Sequence, residues 1–128
     1  MLNFGMTTNC TLLTKDKVDF CYKHNIHILA SIDGAEETQC YNRPCRNGTN
    51  SSKIVEENVK YLLEKFPNTV FRSTGYAPTI HHLYENYLYA ESLGFRSWIV
   101  IPDERISWTD EQINTFEEQL SKIYLYKL

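Results

Sequence analysis

The feature that most constrains this chain is a repeated change of apolar period. Short runs with the composition of buried strands alternate four times with stretches whose apolar residues recur every three or four positions. Asn3–Thr8 reads as a first strand, and Thr14 is placed to cap a helix to about His24, with Val18, Cys21 and Tyr22 on its apolar face. Ile26–Ile32 is a second strand, apolar apart from His27 and Ser31, as a parallel strand covered on both faces would be. A polar loop is expected from Asp33 to about Asn50. Ser51 or Ser52 then caps a helix with the face Ile54, Val55, Val59, Leu62, Leu63 and Phe66, stopped by Pro67. Val70–Thr74 is a third strand. Thr79 caps a helix that turns Ile80, Leu83, Tyr84, Tyr87, Ala90 and Leu93 inward and ends at Gly94. Ser97–Ile101, the fourth strand, stops at Pro102. Thr109-Asp110-Glu111-Gln112 is a capping box for a last helix carrying Ile113, Phe116, Leu120 and Ile123.

Four strand–helix units in series predict an α/β fold, a parallel sheet of about four strands with right-handed crossovers. A doubly wound sheet and a partial (β/α) barrel of the TIM type both satisfy that order. The placement of polar residues favours the barrel. Asn9, Ser31, Asp33, Arg72, Ser73, Thr74 and Asp103 all fall at strand C-terminal ends, the rim on which barrel enzymes build their sites. Four strands do not close a packed barrel, and an open sheet leaves two edges that invite pairing. The expectation is a part of a larger architecture, or self-association through the open edges.

The 128 residues are one domain's worth, 42% hydrophobic and 23% charged, values ordinary for a globular protein. A net charge of −3 with scattered basic residues argues against a nucleic-acid partner. No apolar run approaches the ~18–20 residues that span a bilayer, so no membrane partner is expected. The opening "MLNFGMTTNC" lacks the pattern of a signal peptide, and the expected location is cytoplasmic. Four cysteines and three Asn-x-Ser/Thr sequons, at Asn9, Asn47 and Asn50, would also suit a secreted disulfide domain. Without an export signal, free thiols are the better reading.

The best site candidate is Ser31-Ile32-Asp33-Gly34. Ser31 and Asp33 point to one face of an extended strand, where a hydroxyl and a carboxylate can hold a ribose or an amino-acid head group. Gly34 permits a sharp turn or a close ligand approach. The same residues also make an ordinary Asp-Gly turn. Arg43, in "CYNRPC", has the planar fork that suits a carboxylate. Cys40 and Cys45 are spaced more widely than is common in zinc knuckles and no second Cys/His pair follows at a helpful distance, so no metal ligand is assigned. The histidines His24, His27, His81 and His82 show no carboxylate or thiol partner at helical spacing. No phosphate loop or nucleophile elbow is present, and no catalytic residue is assigned.

Taken together, "TTNCTLL", "ASIDGAEETQCYNRPCRNGT" and "LGFRSWIVIPD" resemble the later half of a radical S-adenosylmethionine (radical SAM) enzyme. The likeness is to the peptide- and protein-modifying branch with an extra iron–sulfur (SPASM) domain, which includes the anaerobic sulfatase-maturating enzymes. It runs over residues 3–103, carried by Thr8-Asn9-Cys10, Ser31-Ile32-Asp33-Gly34, Arg43 and Gly48-Thr49. It implies that residues 1–128 form a single partial barrel domain, the third to sixth strand–helix units. By the same likeness Asn9, Ser31, Asp33, Gly34 and Arg43 would contact S-adenosylmethionine, and Ile99–Ile101 would lie near its adenine.

The family also uses a [4Fe–4S] cluster held by C-x3-C-x2-C, a Gly-Gly-Glu segment, and cysteines of the extra domain. This chain has none of these, and Cys10 stands where a Gly or Ala is usual. The resemblance therefore implies a fragment of an enzyme that abstracts hydrogen from a peptide or protein, a piece not catalytic alone. The alternative is a stand-alone α/β module that binds a small ligand or associates with itself.

Overall fold

The computed structural model describes residues 2–128. Strands β1 (Phe4–Thr8), β2 (Ile26–Ser31), β3 (Val70–Gly75) and β4 (Ser97–Pro102) alternate with helices α1 (Lys15–Lys23), α2 (Glu36–Asn42), α3 (Ser52–Lys65), α4 (Leu83–Leu93) and α5 (Asp110–Lys127). All strand pairs are parallel, in the order β1-β2-β3-β4. The expected α/β fold and its four strands are present.

Register decides between the two architectures left open by the sequence. Ala30 lies beside Phe71 and Phe71 beside Trp98, so these side chains share one face of the sheet. On that face Ile28, Ala30, Ile32 and Phe71 pack against Val18 and Cys21 of α1, Val55, Val59 and Leu62 of α3, and Ala90 of α4. Trp98 and Val100 pack with Leu83, Tyr87, Phe116 and Ile123 of α4 and α5. Consecutive strands are neighbours and their crossover helices cover one face. That is the winding of a barrel wall; a doubly wound sheet would place helices on both faces.

The opposite face carries Leu29 and Ser31, then Val70, Arg72 and Thr74, then Ile99 and Ile101. Ile99 and Ile101 remain 47% and 43% exposed, because no layer among the described residues covers them.

Capping follows the sequence in part. Thr109 accepts from the Gln112 backbone N–H at 3.2 Å, and the Gln112 side chain accepts from the Thr109 N–H at 3.0 Å, closing the box. Gly94 ends α4 in the left-handed region at φ 105°, a conformation that favours glycine. Thr14 holds the N-cap position of α1, but its hydroxyl turns to Asp16 and not to the helix N–H groups. The helix expected from Thr79 begins as a 3-10 turn, Ala77–His82, and becomes α-helical at Leu83. Pro78 lies in the first turn, and the Thr79 hydroxyl is engaged by Asn42.

The loop expected from Asp33 to Asn50 is corrected: seven of its residues form α2. Leu62 is completely buried between α3 and the sheet. Leu62→Ala should lower the unfolding free energy by about 2–5 kcal/mol, the cost of lost burial plus the cavity left behind. Urea denaturation measures it, and an unchanged midpoint would place Leu62 outside the core.

Candidate functional site

Because the strands are parallel, their C-terminal ends form one rim. Asp33, just beyond β2, is 3% exposed on its side chain and is the most constrained group there. Its carboxylate accepts from Arg43 Nε at 2.9 Å and Nη2 at 3.2 Å, and from the Thr74 backbone N–H at 2.9 Å. Its own backbone N–H donates to Gln39 Oε1 at 2.9 Å. One side chain thus fastens the end of β2 to β3 and to the turn after α2. Breaking a buried pair strands its carboxylate, at a cost of about 3 kcal/mol here, since Arg43 is one-third exposed to water.

The candidate residues from the sequence do not all share one environment. Ser31 is buried on the uncovered face of the sheet, beside Arg72 in register. Arg43 reaches the rim, but two of its N–H groups are committed to Asp33, leaving its outer edge free for a ligand. Gly34 makes its close approach to the protein itself. A Cβ there would lie 2.1 Å from Asn86 Oδ1, the atom that accepts from the Ala35 N–H at 3.1 Å. Asn9 is exposed, and its Oδ1 accepts from the Thr11 N–H at 3.1 Å and the Thr11 hydroxyl at 2.8 Å.

Cys10, which stands where the family it resembles has Gly or Ala, adds no bulk to the rim surface. At φ 65° its backbone takes a conformation that suits glycine, and its side chain turns fully inward. Burial pushes its thiol up to about 12, with the Arg43 charge pulling weakly the other way. All four cysteines are free thiols. Among the described residues no group of three or more His, Cys, Asp or Glu could hold a metal ion. The thiols present do not fit a [4Fe–4S] cluster.

A second ion pair, which the sequence reading missed, stands beside the first. Asp103 follows β4, and its N–H donates to Gly75 O at 2.9 Å while its carbonyl accepts from Trp108 Nε1 at 2.9 Å. Its carboxylate takes the Arg105 N–H at 3.0 Å, Nε at 2.9 Å and Nη2 at 2.7 Å. The only sequence signal was Asp-x-Arg just past a strand end. Between the two pairs, with Asn42, Thr74 and Tyr76 completing the walls, lies a cavity of about 320 Å³. Thr79 Oγ1 engages one end of the Asn42 amide at 3.0 Å, and the other end is buried without a partner. A larger groove of about 580 Å³ runs along β1 past Met6, Leu12 and Phe20. Its walls are mainly apolar and its polar groups do not converge, so the smaller rim cavity is the candidate site.

One histidine expectation is also corrected. His82 Nδ1 lies 3.1 Å from Glu85 Oε2, a partner at helical spacing, though at the exposed start of α4 and away from the rim cavity.

No protein-family model and no curated protein matches the chain. Solved structures do. The chain superposes on native anSMEcpe with bound AdoMet, an anaerobic sulfatase-maturating radical SAM enzyme, at TM-score 0.81 and 18% identity, over 94% of this chain. The chain has the fold of a radical SAM barrel wall. Native anSMEcpe with AdoMet and the Kp18Cys peptide gives the same values, and the histidine-tagged enzyme with AdoMet gives 0.80 over 93%. The chain spans 34–36% of the length of these structures.

The rim predicts a pH dependence. The Arg105 guanidinium and backbone N–H hold the Asp103 carboxyl down at about 2, whereas an unfolded aspartate titrates near ~3.9. A carboxyl depressed in the folded state binds fewer protons there than in the unfolded chain. Its stabilisation is therefore fully present above about pH 4 and is lost as pH falls toward 2. Thermal melts from pH 5 to 2 should fall less steeply for Asp103→Asn than for the natural chain; parallel curves would remove Asp103 from the acid transition.

Proposed function

We propose that this chain forms part of an AdoMet-binding site in a peptide- or protein-modifying radical SAM enzyme of the sulfatase-maturating kind. The observation that carries the reading is the Asp33–Arg43 pair. It fixes a guanidinium at the β2 end of a sheet that superposes on AdoMet-bound structures, with Ser31 on the same strand. In that role the free edge of Arg43 and the Ser31 hydroxyl would hold the carboxylate and adjoining polar atoms of AdoMet, and Asp33 would aim Arg43. Asn42, whose amide nitrogen is buried without a partner, stands in the wall of the same cavity. Asn9 and Gly34 would shape the rim around it.

AdoMet when bound would supply the 5′-deoxyadenosyl group for hydrogen abstraction from the substrate. What these residues do is bind and orient it. Cluster ligands, and the SPASM-type domain, would have to come from outside residues 1–128, and the chain alone would be inactive. A cytoplasmic location goes with this reading.

A second reading rests on β1, whose Phe4 and Met6 are 60% and 39% exposed beside the apolar groove. That edge suits self-association.

Calorimetric titration tests the first reading. Ser31→Ala should weaken AdoMet binding about tenfold, the value of one hydrogen bond to a charged group. Arg43→Lys, which keeps a cation on Asp33 but loses the fork, should weaken it more. No saturable binding to the natural chain would overturn the proposal, and a defined dimer in sedimentation would then favour the second reading.

A further inference from the structure

We infer that Arg105, held by Asp103, is a second carboxylate-binding residue of the rim cavity, acting beside Arg43 on a ligand that carries a carboxylate. The inference deepens the AdoMet-site reading and rests on it for the identity of the rim as a binding surface.

Asp33 Oδ1 accepts from Arg43 Nη2 and the Thr74 N–H, and Oδ2 accepts from Arg43 Nε. Asp103 Oδ1 accepts from the Arg105 N–H and Nε, and Oδ2 from Nη2. Both carboxylates are engaged at both oxygens. Each arginine is gripped by its Nε–Nη2 edge, so Nη1 of each is left as a donor. Two guanidinium groups therefore offer donors to a cavity whose own carboxylates are occupied. A cavity of that kind takes an acceptor, and the acceptor that matches a guanidinium edge is a planar carboxylate.

The second observation is that Arg105 is built in place although it is 87% exposed. Free arginines on a surface sample many rotamers, and an exposed ion pair by itself counts for little. Here Asp103 is fixed from three directions: by Gly75 O, by Trp108 Nε1 and by the Arg105 N–H. Trp108 is itself stacked on Phe116 of α5 at 5.6 Å. The pair is anchored to β3, β4 and α5, and the guanidinium is pre-organised at the cavity wall with its outer side open to a ligand. Asp33 does the same for Arg43 on the other side, so the cavity has two arginines held by one device.

The carboxylate has two possible sources, the methionyl carboxylate of AdoMet and an acidic side chain of the peptide substrate. Four probes separate them: AdoMet; 5′-methylthioadenosine, which lacks the carboxylate; a blocked glycine pentapeptide with one central glutamate; and its glutamine counterpart. Each is titrated into the natural chain, Arg105→Gln, Arg105→Lys and Arg43→Lys, with thermal melts to verify folding.

If AdoMet is the source, Arg105→Gln weakens AdoMet about tenfold and leaves 5′-methylthioadenosine unchanged. If the substrate is the source, the same change weakens the glutamate peptide and leaves AdoMet unchanged. Either result supports the inference, and Arg105→Lys should recover part of the loss. Equal effects on ligands with and without the carboxylate overturn it. So does an Arg105→Gln chain that binds every probe like the natural one; a loss of AdoMet binding in Arg43→Lys would then leave the AdoMet-site reading standing. A natural chain that binds neither AdoMet nor the glutamate peptide overturns both.

Discussion

The rim depends on one buried carboxylate. Asp33 is almost wholly removed from water, and a charge there is tolerable only if its oxygens are fully used. Arg43 and the Thr74 N–H use them. Because Arg43 comes from the turn after α2 and Thr74 from β3, satisfying Asp33 draws three separate pieces of chain together. Gln39 completes the arrangement by accepting the Asp33 N–H, which places α2 against the strand end. The residues around the cavity therefore take their positions from one electrostatic requirement.

The same requirement is met again on the rim beyond β3. Asp103 stands to β4 as Asp33 stands to β2, a carboxylate just past the strand end with an arginine folded onto it. The two differ in how the arginine is supplied: by a loop containing a helix in one case, and by a residue two positions on in the other. Parallel winding brings them to one rim, on either side of β3, since every strand delivers its C-terminal end to the same edge of the sheet. Helices on one face leave the other face to Ser31, Arg72, Ile99 and Ile101, a mixture of polar and apolar groups in keeping with the wall of an open barrel.

Much of this is legible locally. The strand runs, the stripe of α3, Gly94 as a helix terminator and the Thr109 capping box all depend on residues within a few positions of one another, and they appear where the sequence places them, except Ile54 of that stripe, which faces solvent. Helix α2 was not legible. Its seven residues carry no apolar stripe, and what holds it is hydrogen bonding: Asn86 Nδ2, far along the chain, donates to Thr38 Oγ1 at 3.0 Å, and Gln39 accepts from the Asp33 N–H. Gly34 was legible as a special position, but its reason was not. The group that requires the absence of a Cβ is Asn86, far away in the chain.

Apart from α2, the sequence by itself determined the order, type and approximate ends of the elements, and it marked the strand ends as the place where polar groups gather. It did so because periodicity, capping and turn chemistry are short-range. The tertiary structure alone decided that the helices share one face, that Arg43 is aimed by Asp33, that Cys10 points inward, and that Arg105 and Arg43 line one cavity. Those outcomes depend on distances between residues far apart in the chain, and no local pattern encodes a distance until the parallel sheet sets it.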